Sequence, residues 1–149
     1  MPTARERDRT LAFIRKISLA LPETSERLSH GAPTFFVRKR TFVMVLNDHH
    51  GDGRFAIWCA AGEGMQAMLV EADPERFFVP PYVGHRGWLG FRLDRELDHD
   101  ELAGLIEDAY VEVAPPKLVA QLTPSKDEAA APIDERSRGT GRSPRRSGG

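Results

Sequence analysis

An α+β domain is predicted: a mostly antiparallel sheet of about five strands, flanked by N- and C-terminal helices. Three features point to it. Apolar residues at helical spacing bracket the chain near residues 3–21 and 98–113. Short runs rich in β-formers lie between them, joined by turns rather than by long crossovers. The 149 residues include 40% hydrophobic and 29% charged side chains, an ordinary composition for a globular domain.

Each element follows from local signals. Leu11, Ile14, Ile17 and Leu21 form the apolar stripe of the first helix, and Pro22 stops it. Thr34–Val37 and Thr41–Leu46 are strands, with Arg38, Lys39 and Arg40 as a basic hairpin tip between them. The second run is apolar on both faces, as in a central strand covered on each side. Residues 47–53 are a turn, and Arg54–Cys59 is a third strand. Met65, Met68 and Leu69 mark a short helix. Phe77–Val79 and Trp88–Leu93 complete the strands. Asp98 caps the last long helix, with Glu101 in the position of a capping-box partner. Lys117–Leu122 reads as a final helical turn.

The domain is expected to end near residue 122. Residues 123–149 carry three alanines and Ile133 as their only apolar side chains, among prolines, glycines and serines. Such a segment buries too little to offset the entropy of ordering it, so a disordered tail is expected. The formal charge of −1 divides unevenly: 15 basic and 18 acidic residues over 1–122, against 6 and 4 beyond. The tail arginines Arg142, Arg145 and Arg146 read as a solvated linker or as a transient phosphate contact.

The composition excludes several classes. No apolar run approaches the ~20 residues of a membrane span, and the N-terminus lacks a signal-peptide core, so a cytoplasmic protein is expected. Cys59 is alone, which rules out an internal disulfide and a multi-cysteine zinc site. No Gly-x-Ser-x-Gly elbow, P-loop or dinucleotide loop is present, so neither an enzyme nor a cofactor is expected. Cys59, beside Trp58 in an apolar strand, reads as buried and inert. The carboxylates of Asp94, Glu96, Asp98, Asp100 and Glu101 crowd a helix start, where they suit the helix dipole. The segment Asp48-His49-His50-Gly51-Asp52 holds metal-compatible side chains, yet a solvated turn is the favoured reading.

Two stretches remain as candidate sites. Arg38, Lys39 and Arg40 are either a solvated turn or a wing along nucleic-acid phosphate. The loop from Pro80 to Trp88 offers Tyr82, Trp88 and Arg86, either anchored in the core or presented to a partner. His30 either fixes its loop by bonding a backbone carbonyl or contacts a ligand.

Several of these segments, taken in order, resemble the MmcQ/YjbR family. They are residues 19–24, the run His30-Gly31-Ala32-Pro33-Thr34-Phe35, the strand Phe55-Ala56-Ile57-Trp58, and the stretch from Asp73 to Gly90 with its Pro80-Pro81-Tyr82-Val83-Gly84 and Gly87-Trp88-Leu89-Gly90 motifs. The similarity covers roughly residues 8–120. It implies a CyaY-like fold, also described as a double wing, and a DNA-binding role. It supplies no catalytic residues. The leading expectation is therefore a non-enzymatic DNA-binding protein of 1–122, contacting phosphate weakly and salt-dependently through Arg38, Lys39, Arg40 and Arg86, with no membrane partner. The alternative is a small-molecule or protein-binding module using His30, Tyr82 and Trp88. An iron-handling role, by analogy with the same fold, ranks last because the first helix carries nearly as many cations as acids.

Overall fold

A computed structural model describes residues 2–122. The expected tail, 123–149, lies outside the described residues. The chain divides into two compact units, the first running from Met1 to Ala114. The second begins at Pro115, and its residues 116–122 are helical.

In the first unit, helix α1 spans Ala4–Leu19. Its start is a capping box: Thr3 Oγ1 accepts from Glu6 N–H, and the Glu6 carboxylate accepts from Thr3 N–H. Strands β1 (Thr24–Ser29), β2 (Ala32–Val37), β3 (Arg40–Asn47) and β4 (Phe55–Cys59) follow. Then come α2 (Met65–Ala72), β5 (Phe77–Phe78), β6 (Leu89–Arg92) and α3 (His99–Val113). The strands form one sheet in the order β1-β2-β3-β4-β6-β5, and every neighbouring pair is antiparallel. β3 is central, as its two apolar faces require.

The sixth strand is β1, which carries no apolar signal: Thr-Ser-Glu-Arg-Leu-Ser pairs with β2 alone and forms the sheet edge. Charged residues on an edge suit it, because they discourage pairing with other chains. The basic tip is also shorter than expected. Val37 pairs with Arg40, so only Arg38 and Lys39 turn, with Arg38 at φ 55°, and Arg40 begins β3. At the other end of β2, Ser29 pairs with Ala32, leaving His30 (φ 52°) and Gly31 (φ 81°) as the turn. Positive φ at both positions is what a two-residue type I′ hairpin needs.

The register separates two faces. One carries the row Val45–Ile57–Phe91–Phe77, all buried. A bulge opposite Phe35 and Phe36 adds Phe42, whose ring meets Tyr110 of α3 edge-on at 5.7 Å. Helices α1 and α3 pack together, with α3 against β3 and β4, and they seal this face with Ile14, Leu102 and Ile106. The opposite face carries the row Arg27–Thr34–Met44–Trp58–Gly90–Phe78 across all six strands.

The acidic run before α3 divides in two. Asp98 caps the helix, accepting from Asp100 and Glu101 N–H. The Glu101 side chain does not close a capping box; it bonds Arg76, which also holds Asp73. Asp94 lies before the helix and accepts from Arg92 and from Phe55 N–H, so it fastens the sheet rather than serving the helix dipole.

Candidate binding cleft

Over the second face, the turn around His49 and the loop 79–88 enclose a cleft of about 560 Å³. Met44, Leu46 and Trp58 lie along it, with Ser29, His30, His49, His50 and Tyr82 at its walls. Backbone conformation places those rings. His50 is at φ 52° and Tyr82 at φ 68°, left-handed values that non-glycine residues seldom adopt. Around His50 the turn is held by Asp48, whose carboxylate accepts from Gly53 N–H at 2.8 Å, and by Asp52, which accepts from Arg54 N–H at 2.9 Å. The two carboxylates of the metal-compatible segment are thus engaged in shaping the turn. Among the described residues, no three His, Cys, Asp or Glu side chains are placed to hold a metal ion together.

The rings converge. His49 meets Trp58 at 4.9 Å, His50 at 4.1 Å and Tyr82 at 6.0 Å between centroids, all close to edge-on. His50 and Tyr82 are 6.4 Å apart. Trp58 is 3% exposed while Tyr82 is 69% exposed, so one ring belongs to the floor and the other to the rim. Nε2 of His49 is buried with no hydrogen-bond partner. The other side of His30 and His49 borders a smaller, more polar recess of about 290 Å³ that includes Arg7, Asp8 and Asn47.

Gln66 of α2 fastens the loop that carries Tyr82. Its side-chain amide donates to the carbonyls of Gly84 and Trp88. Sequence reasoning passed over Gln66, because a polar residue among Met65, Met68 and Leu69 looks like a solvated helix position. It also left His49 and Trp58 apart; their meeting requires the turn to fold back over the sheet.

The other candidate residues are distributed differently. Trp88 is 4% exposed and does not line the cleft, whereas His30 and Tyr82 do. Arg86 is exposed, with its guanidinium 5.3 Å from the Trp88 ring centroid. Arg38 forms an ion pair with Glu23 at 2.8 Å, which raises its pKa. Lys39 and Arg40 are exposed. Cations on the second sheet face are also engaged: Arg27 lies 3.9 Å over Phe36, Arg54 lies 4.0 Å over Phe78, and Arg92 pairs with Asp94. Cys59 is buried, and burial pushes its thiol up to about 12, with the Asp108 carboxylate adding to the shift. No helix among the described residues is long and apolar enough to cross a membrane.

No curated protein matches the chain. Among solved structures, it is similar to the crystal structure of Deinococcus radiodurans protein DR2400, which contains a DUF419 domain. The TM-score is 0.59 at 16% identity, over 85% of this chain and 92% of that one, a likeness of fold. The YjbR family model matches residues 19–112, from the end of α1 through nearly all of α3. That match includes the sheet, the His49 turn and the Tyr82 loop, and the chain belongs to the YjbR family.

Proposed function

We propose that this protein is a non-enzymatic binding module whose working surface is the cleft between Trp58 and Tyr82, and that its ligand is a small molecule. The observation that carries the reading is the convergence of four rings on one concave surface. A concave, largely apolar site with a few polar groups is the usual form of a small-molecule site. The non-enzymatic part draws support from the side chains whose chemistry could serve a nucleophile or a general acid or base. The Cys59 thiol is buried and held protonated, and the carboxylates of Asp48, Asp52, Asp94 and Glu101 hold turns and strands. The test is a thermal-shift screen of small aromatic compounds on the wild type and on Tyr82→Ala. Binding raises the melting temperature by mass action. Compounds that stabilise the wild type and not Tyr82→Ala support the cleft; equal shifts in both proteins move the site elsewhere.

A second reading is phosphate contact with DNA, favoured by the exposed Lys39 and Arg40 at the hairpin end and by Arg86. Arg38 contributes to it only by exchanging its Glu23 pair for phosphate. Each phosphate contact contributes about −0.9 to the slope of log K against log salt on duplex DNA. Lys39→Ala/Arg40→Ala should flatten that slope by up to about 1.8, and adding Arg38→Ala should bring the change to at most about 2.7. Absence of association with any nucleic acid at low salt would sink this reading.

A further inference from the structure

We infer that the cleft takes an uncharged planar nitrogen heterocycle; the inference rests on the cleft being the binding surface. Four observations converge on that class. The walls are ring-rich, and aromatic faces and edges favour a flat partner. No Asp, Glu, Lys or Arg is among its described lining residues, so a ligand cation would be desolvated there without a counter-charge, and an anion would meet no cationic group other than an imidazole. The polar groups that do line it, the Ser29 hydroxyl, the Tyr82 phenol and the imidazoles, both donate and accept. Nε2 of His49 is buried without a hydrogen-bond partner, so a ligand reaches it through a turn of that ring. A heterocycle bearing both an N–H and a ring nitrogen meets it in either tautomer of the imidazole.

The same chemistry is found in a free heterocycle and in an unpaired nucleobase. The experiment therefore uses a matched series titrated calorimetrically into the full chain. Benzimidazole has the flat bicycle, a donor and an acceptor; indene has nearly the same shape and no nitrogen; benzimidazole-5-carboxylate adds a charge. Benzimidazole should bind about tenfold or more tightly than either, a difference of about 1.4 kcal/mol. His49→Phe should bring benzimidazole down to the level of indene while indene binding persists. Equal binding of indene and benzimidazole to the wild type would overturn the heterocycle class and leave the cleft reading standing. Tighter binding of the carboxylate would overturn the requirement for a neutral ligand. Failure of all three, with Tyr82→Ala and wild type indistinguishable, would remove both the class and the cleft. Competition then assigns the source: displacement of benzimidazole by adenosine supports a free ring, and displacement only by a short oligo(dA) supports an unpaired base.

Discussion

The two faces of this sheet are covered in different ways. Under α1 and α3, regular helices meet strands through Phe42, Ile57, Phe91 and Tyr110, and nearly every side chain is sealed. Tyr110 even places its hydroxyl, which donates to the carbonyl of Pro22 at 2.7 Å. Over Met44 and Trp58 the cover is a turn and a loop with left-handed residues at His50 and Tyr82, and a cleft remains. Regular cover closes a core. Irregular cover leaves concave space and positions side chains over it, which is why binding residues so often lie on loops held by a rigid scaffold.

The sharpest test of this contrast is in the helix-covered face. Phe91 is fully buried and packs against Phe77, the two rings tilted with centroids 5.0 Å apart. Phe91→Ala should cost about 3–5 kcal/mol in denaturant unfolding, the range for a buried aromatic. A loss under about 1 kcal/mol would mean that this face tolerates space as the cleft face does, and the contrast would fail.

The helix-covered face was legible in the sequence because burial imprints a period. Leu102, Ile106 and Ala109 repeat at helical spacing, and Val43 and Val45 alternate along an apolar strand. The other face was only partly legible. Pro80, Tyr82 and Gly84 marked an irregular loop and His30 a turn, but periodicity is silent about where an irregular segment folds back. His49 and Trp58 are nine residues apart in the chain and come together only through the left-handed positions at Asp48 and His50. β1 escaped for the opposite reason: an edge strand buries little, so Ser25, Glu26 and Arg27 carry no alternation of apolar residues.

Between the two extremes lies the strut that joins β4 to β6. Burial by itself raises the Asp94 carboxyl, but bonds from Arg92 and from Phe55 N–H outweigh it and hold the group below its ordinary value of 3.8. The folded state therefore binds this proton less readily than the unfolded chain. The stabilisation is complete well above 3.8 and is lost as pH falls through the lower folded value. Asp94→Asn should cost about 1.5–3 kcal/mol at neutral pH, as for hydrogen bonds to a charged group. Its melting temperature should approach that of wild type below about pH 4. A gap that stays constant down to acid pH would show that the loss is one of shape and not of charge.

Gly90 tests the cleft face from beneath. A Cβ there would come within 3.0 Å of the Phe78 ring, which is flanked by the Arg54 guanidinium at 4.0 Å. Gly90→Ala should therefore cost about 1–3 kcal/mol by overpacking. Adding Phe78→Leu should recover part of that loss, whereas no recovery would locate the strain in the strand backbone instead.

The smallest effect on stability belongs to Tyr82, and it is the one that separates cover from function. The ring is 69% exposed, so little apolar area leaves water when the loop folds, and the left-handed φ is already present in the native chain. Tyr82→Ala should therefore change unfolding free energy by no more than about 0.5 kcal/mol, as expected for an exposed position. Tyr82→Gly should do as well or better, because glycine adopts that φ without strain. Both variants should nonetheless weaken ligand binding about tenfold, the upper range of an aromatic pair contact. Chemical unfolding and ligand titration on the same preparations separate the two quantities. If Tyr82→Ala lowers stability by 2 kcal/mol or more, the ring is a cover for Trp58 and His49 and not the rim of a site, and the two faces of the sheet differ in regularity alone.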